Sequence, residues 1–226
     1  MAIKHFLLKA ADVTGLSAKL SRARLDAFLK TQASSARTLD IGGGSKPYRK
    51  YFPNSVSVDI LAREGVDVVG DAHDLHMFKD AEFDIILSTE VLEHLHTPEK
   101  ALSEMHRTLK SGGTLILTTR FIFPLHNVPG DFFRFTPYGL HHLLRNFSKI
   151  DISEEASTIE TVAVLLERMA FQTDTLGMKS LSFVWLILSK VTRLFKWLIT
   201  AEYGDVTRET KVKSVMSSGY YVIAVK

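Results

Sequence analysis

The chain has 226 residues, 46% of them hydrophobic, enough to bury one good-sized core. It contains no cysteine, which excludes disulfides and thiolate metal sites. The formal charge is only +3 but unevenly spread: residues 1–37 carry +5, residues 38–177 carry −7 and residues 178–226 carry +5. Basic ends are drawn to an anionic surface, membrane or nucleic acid, although ordinary solvated surface gives the same pattern.

Taken in order, residues 1–11 mix apolar residues with lysines and lack a continuous apolar run before a small-residue cleavage site, so no secretory signal is expected. Leu16, Leu20, Leu25, Phe28 and Leu29 recur at helical spacing among Lys19, Arg22, Arg24 and Lys30, which predicts a helix within 16–33. Thr38-Leu39-Asp40-Ile41 then forms a short apolar strand that runs into Gly42, Gly43 and Gly44. Glycines at a strand end let the backbone turn sharply and approach a ligand closely. A dinucleotide fingerprint would need a further glycine where Pro47 stands. An acid at Asp40 repels phosphate and suits a cationic amino-acid end.

Asp40-x-Gly42-x-Gly44 resembles the first motif of the class I S-adenosylmethionine-dependent methyltransferases, with Lys46 in place of a usual third glycine. The resemblance covers about residues 36–155 and the final strand. It implies a Rossmann-like, doubly wound α/β fold: a seven-stranded sheet, mostly parallel, with an antiparallel last strand. It implies S-adenosyl-L-methionine as cofactor, with Asp40, Gly42, Gly43, Gly44 and Tyr48 around the first motif.

Pro47 and Pro53 allow at most a short helix over 46–53. Val56–Ile60 reads as the second strand. Asp59 at its end lies 19 positions after Asp40, near the spacing at which an acid reaches a ribose, and Ile60 adjoins it. Val66–Val69 is a third strand. In the loop that follows, Asp71 and Ala72 match, by resemblance, the acid and amide that meet adenine; an Asx turn is the structural alternative.

Phe83–Ser88 is nearly continuously apolar, as a central parallel strand should be. After it, Glu90-Val91-Leu92-Glu93-His94-Leu95 resembles the family segment that walls the cofactor, although Glu93 and His94 equally suit a polar helix face. Thr97 as N-cap, Pro98, and the stripe Ala101, Leu102, Met105 and Leu109 predict a helix ended by Ser111-Gly112-Gly113. Thr114–Thr119 is the fifth strand. The strand–turn–helix order places Asp40–Gly44, Asp59, Asp71 and Glu90 at the carboxyl ends of the strands, where ligands bind.

Residues 121–137 form a connection too long to be structural filler. Its polar groups include His126, Asp131 and Arg134. For methyl transfer to a hydroxyl, His126 is the first choice as base; Asp131 orients it or acts as base; Arg134 holds an anionic group or clamps Asp131. Loop stabilisation and a fold-holding ion pair are the alternatives. Thr136 caps a helix to about Phe147. Pro-Leu-His, Asp-Phe-Phe-Arg-Phe-Thr-Pro and Lys-Pro-Tyr-Arg resemble, more narrowly, methyltransferases of surface-polysaccharide and glycan synthesis.

Ile150–Ser153 and Gly219–Val225 read as the sixth and seventh strands, and the residues between exceed the family's usual short link. A single domain over 1–226 is therefore expected, with an N-terminal helical segment 1–36 and a helical insertion 158–210. Within the insertion, 181–200 is apolar but interrupted by Lys190, Arg193 and Lys196, too broken for a membrane span. Those cations share one side with Ser182 and Ser189, which suits a helix lying in a membrane interface. A dimer interface, a lid and a core helix are also open.

The combined expectation is an S-adenosylmethionine-dependent methyltransferase. Its acceptor would be a small molecule or glycan, with O-methylation of a sugar or lipid-linked glycan near a membrane, in the cytoplasm or peripherally on the inner face of a membrane. A non-catalytic binding or membrane-associated protein on the same fold is the alternative, and a nicotinamide enzyme is a more distant one. No nucleic acid and no metal are expected: there is no basic patch with interleaved aromatics, and His94 with His96 lacks a third ligand.

Overall fold

The computed structural model describes residues 19–44, 48–199, 201–212 and 215–226. They form two compact units: one of residues 28–121, 125–154 and 219–226, the other of 122–124, 155–218 and the N-terminal residues to 27. Residues 1–18, with Leu16 of the expected helix, and Ser45, Lys46 and Pro47 lie outside the described residues.

The first unit is built on a seven-stranded sheet: β1 (Thr38–Ile41), β2 (Ser55–Asp59), β3 (Val68–Val69), β4 (Phe83–Thr89), β5 (Leu109–Arg120), β6 (Lys149–Glu154) and β9 (Gly219–Val225), in the order 3-2-1-4-5-9-6. β1 to β5 run parallel, and β9 is antiparallel to both β5 and β6. This is the expected sheet. β1 is buried at all four positions and β4 at five of seven, which is why both read as unbroken apolar runs. Leu39, Ile41, Phe83, Ile86, Met105, Leu115, Leu117 and Val222 lie in the core.

Several boundaries differ from the sequence reading. The helix at the chain's start is α1 (Leu20–Thr31), of which residues 28–31 belong to this unit. After the glycines, Tyr48–Phe52 is a single hydrogen-bonded turn rather than a helix, with Tyr51 and Phe52 amides donating to the Tyr48 carbonyl. The next helix, α2 (Pro98–Thr108), stops before Gly112-Gly113, and Thr97 gives it no side-chain cap, its Oγ1 lying 2.8 Å from His96 Nδ1.

The glycine pair lies inside β5, where Gly112 N–H donates to the Lys226 carbonyl and Lys226 N–H to that of Gly113. The Lys226 ammonium in turn takes the His106 and Leu109 carbonyls at 2.6 and 2.8 Å. Lys226, just past the final strand, thus replaces the glycine stop, because a helix end needs its carbonyls satisfied and does not specify by what. Thr136 does cap α3 (Pro137–Leu143), its Oγ1 accepting from Gly139 N–H, but that helix is shorter than expected.

The second unit holds residues 20–27 of α1, α4 (Thr158–Thr175) and α5 (Lys179–Leu194), followed by a 3-10 turn over Lys196–Leu198. A small hairpin, β7 (Glu202–Tyr203) with β8 (Lys211–Val212), follows, so the segment 158–210 is not wholly helical. Ser157 and Glu160 form a reciprocal capping box that starts α4. Arg24 pairs with Glu160 and donates to the Glu155 carbonyl, tying α1 to that start.

The polar side of α5 faces inward. Ser182 and Ser189 are buried, and Ser189 Oγ donates to Glu167 Oε1 of α4 at 3.3 Å. Val184, Ile187, Leu188, Val191, Leu194 and Phe195, within about 120° of one another at helical periodicity, are all exposed. An ordinary amphipathic helix points its apolar face inward. Here small serines permit close helix contact and the apolar stripe is left outside.

Candidate active site

The cavity at the carboxyl ends of β1, β2 and β4 has a volume of about 520 Å³. Its wall includes Ile41, Gly42, Asp59, Ile60, Asp71, Ala72, Glu90, Val91, His94 and His96, with Asn127 and Gly130 from the long loop.

The glycine turn is shaped by sterics. Gly42 has φ +71°, and a Cβ there would lie 2.5 Å from Val91 Cγ2. Beneath Gly43 sits the buried Asp40 carboxylate: a Cβ on Gly43 would stand 2.5 Å from Asp40 Oδ2 and 2.7 Å from Ser57 Oγ. Gly44, at φ +33°, opens toward Asp59 Oδ2. Asp59 Oδ1 accepts from Leu61 N–H at 3.0 Å. Gly43, Gly44 and Tyr48 are not among the wall residues, and Tyr48 is buried.

Asp71 forms the Asx turn, accepting His73 N–H at 2.9 Å, and also meets His73 Nδ1 at 2.6 Å. Burial opposes its charge, but the His73 backbone and ring hydrogen bonds prevail and hold its carboxyl below the usual range. His73 Nε2 accepts from Thr97 N–H, which places the ring proton on Nδ1. His96 stacks on His73 with centroids 4.2 Å apart. Glu90, at φ +56°, is ion-paired with the buried Arg120, a partner that sequence spacing did not reveal.

On the other side of His94, the loop brings the three expected catalytic residues together. Arg134 clamps Asp131 with two bonds of 2.6 and 2.7 Å, and Asp131 Oδ2 accepts His126 N–H at 2.9 Å. The guanidinium beside Asp131 holds its carboxyl far below the ordinary range despite burial. That makes Asp131 a poor base and a good orienting group for the His126 ring, whose Nδ1 lies 3.4 Å away. Burial, with the cations Arg134 and Arg120 and the His94 ring, lowers the His126 imidazole against the opposing pull of Asp131, so it is neutral at neutral pH.

Glu93 is fully buried, not on a solvent-facing helix surface. Its carbonyl accepts the Phe132 and Phe133 amides, which fastens the loop, and Thr119 Oγ1 donates to its Oε2 at 2.8 Å. Burial raises its carboxyl above the ordinary value. His94 Nδ1 lies 2.6 Å from the Gly130 carbonyl, and the His94 and His126 rings meet edge-on at 4.7 Å. The histidine neighbour that joins His94 near an acid is therefore His126 and not His96.

Residues 39–117 match the methyltransferase domain family. An uncharacterised protein of Methanocaldococcus jannaschii is 34% identical over 96 residues, 39% of this chain, and the chain spans about half (47%) of that relative's length. Among solved structures, a possible histamine N-methyltransferase of Thermotoga maritima superposes with a TM-score of 0.56 at 16% identity, covering 98% of this chain and 97% of that one. An S-adenosylmethionine-dependent methyltransferase of Archaeoglobus fulgidus gives 0.55 at 17%, covering 98% and 99%. Phosphoethanolamine N-methyltransferase 2 of Haemonchus contortus, solved with phosphomonomethylethanolamine and S-adenosylhomocysteine, gives 0.55 at 17%, covering 91% and 53%.

The sheet order and the glycine turn backed by a carboxylate are those of the class I methyltransferase fold, and residues 39–117 carry the match to the methyltransferase domain family. The cofactor of this class is S-adenosyl-L-methionine, and the site suits it. Gly42 leaves the room that a side chain would take against Val91 of the wall, Gly43 leaves the room that the Asp40 carboxylate occupies beneath the turn, and Asp59, Asp71 and Glu90 ring the cavity with carboxylates suited to a cationic nucleoside.

Proposed function

We propose that this domain methylates a hydroxyl of a sugar or lipid-linked glycan at a membrane surface, using S-adenosylmethionine held by Asp40, Gly42, Gly43, Gly44, Tyr48, Asp59, Ile60, Asp71, Ala72 and Glu90. The cofactor supplies a methyl group on a sulfonium centre. Asp59 accepts from ribose hydroxyls, and Asp71 with the Ala72 amide meets the base. His126 takes the hydroxyl proton at Nε2, oriented through Nδ1 by Asp131, which Arg134 holds in place.

The observation that carries this reading is the Arg134–Asp131–His126 chain beside a cavity mouth, ending in a neutral imidazole. The rings of Phe132 and Phe133 are exposed beside it, a suitable stacking face for a sugar. The second unit is read as an elaboration of the one domain that attaches it to the membrane. Among the described residues no helix is long and apolar enough to cross a membrane, while the outward apolar stripe of α5, with exposed Trp197 beyond it and Lys179 and Lys196 at its ends, suits an interfacial lie.

Two measurements test the proposal. Calorimetry with S-adenosylhomocysteine, followed by transfer assays on hydroxyl and amine acceptors, should show cofactor binding and methylation of glycan hydroxyls. Transfer only to amines, or binding with no transfer to any acceptor, would sink the hydroxyl reading. Flotation with anionic liposomes should carry the protein upward, and replacing Val184, Ile187 and Val191 by serine should leave it at the bottom. Flotation unchanged by those substitutions would remove the membrane role from α5.

A further inference from the structure

We propose that Glu93, His94 and His126 bind a first-row divalent transition-metal cation at the wall of the cavity. One ligating atom of each lies within 4.8 Å of those of the other two, and His94 is itself a wall residue. Two imidazoles and one carboxylate, with further coordination positions open, form a donor set that divalent zinc, iron or manganese accepts.

The second observation is independent of the spacing. Glu93 is fully buried, and while its Oε2 takes the Thr119 hydroxyl, its Oε1 has no hydrogen-bond partner. That atom points toward His126 Nε2, 3.9 Å away. A buried carboxylate oxygen left without a donor is costly, and a cation between it and the two rings satisfies it.

The outer groups lie where metal-bound histidines use them, in a hydrogen bond at His94 and in a longer contact with a carboxylate at His126. His94 Nδ1 is against the Gly130 carbonyl, leaving Nε2 for the ion. His126 Nδ1 faces Asp131, leaving its own Nε2 turned toward Glu93. Carbonyl and carboxylate partners of this kind fix the ring tautomer and raise ligand basicity. Arg134 in turn fixes Asp131. Ligand atoms around a tetrahedral ion stand about 3.3 Å apart at bonds of about 2.0 Å. Closing from 4.8 Å therefore asks each atom to move inward by at most about 0.9 Å.

A cation here gives the loop a role beyond the imidazole base. Bound there, it would occupy the His126 Nε2 lone pair and lower the pKa of a coordinated hydroxyl, whose proton would then leave to solvent water instead of to the ring. That role rests on the methyl-transfer reading; the binding itself does not.

The test uses the full chain, stripped with chelator and titrated with Zn²⁺, Mn²⁺ and Co²⁺ by calorimetry, with visible spectroscopy of the Co²⁺ form. About one equivalent should bind at micromolar or tighter dissociation constants, with Co²⁺ bands of a nitrogen–oxygen site. H126A, which changes a loop residue and leaves the buried carboxylate in place, should weaken binding at least tenfold, as should H94A; D131N should weaken it about 10- to 100-fold. No uptake of any of the three ions, or uptake that H126A and H94A leave unchanged, would overturn the site. S-adenosylhomocysteine affinity, measured on the same metal-free samples, reports the cofactor reading separately, since loss of one does not entail loss of the other.

Discussion

Replacing Gly43 by alanine probes the glycine turn, and with it the proposed cofactor site, through sterics alone. Gly43 does not have the positive φ of its neighbours Gly42 and Gly44, so the substitution adds only a methyl group. That methyl would sit 2.5 Å from Asp40 Oδ2, 2.6 Å from Asp40 Cγ and 2.7 Å from Ser57 Oγ. Ordinary contact at about 3.5 Å requires a retreat of nearly 1 Å. Neither neighbour has room: Asp40 is 1% and Ser57 0% exposed. Forcing a methyl into such packing costs about 1–3 kcal/mol. If the turn relieves the clash by lifting toward the cavity, the same strain falls on cofactor binding, where 1.4 kcal/mol is tenfold. The expected result is a lower melting temperature and S-adenosylhomocysteine affinity reduced about tenfold or more. Gly112→Ala is the control, at φ +72° with nothing within 4 Å of its Cβ. It should lose about 1 kcal/mol of stability through backbone strain and leave affinity unchanged. A G43A protein that melts and binds like the parent would refute the account of the turn.

Three further outcomes follow from the electrostatics and capping. Because Asp131 titrates lower folded than unfolded, its ion pair contributes stability that is full above about pH 4 and is lost as pH falls through the depressed folded value; R134Q should raise the acid-unfolding midpoint and cost about 3 kcal/mol at neutral pH, measured by denaturant titration across pH. With His126 lowered by burial, kcat should hold its plateau to a pH below the ordinary histidine value of about 6.5 and fall only beneath it, and H126Q should lose about 10²–10⁴ in kcat, read by pH-rate profiles of both proteins. Ser157→Ala removes the hydroxyl half of the capping box and should cost about 1 kcal/mol with no change in cofactor affinity.

Local pattern was enough for the strands and the glycine turn. β1 and β4 are buried on both faces, so each announces itself as an apolar run, and Asp40-x-Gly42-x-Gly44 lies within five consecutive residues whose backbone needs are local. The stop of α2 was not legible, because Lys226, over a hundred residues away, supplies the donor that the glycines were expected to supply. Nor was the orientation of α5: periodicity separates a polar side from an apolar one, but which side packs against α4 depends on Ser189 meeting Glu167 in space, with Ser182 buried on the same side.

By itself the sequence determined the sheet and the glycine turn that ends β1, since strand periodicity and φ preferences act over a few residues. Only the tertiary structure decided that Glu93 is buried, that His126 joins His94, and that Asp131 is locked to Arg134. Burial and the approach of charges from separate segments govern protonation and ligation, and neither is encoded in the spacing of residues along the chain.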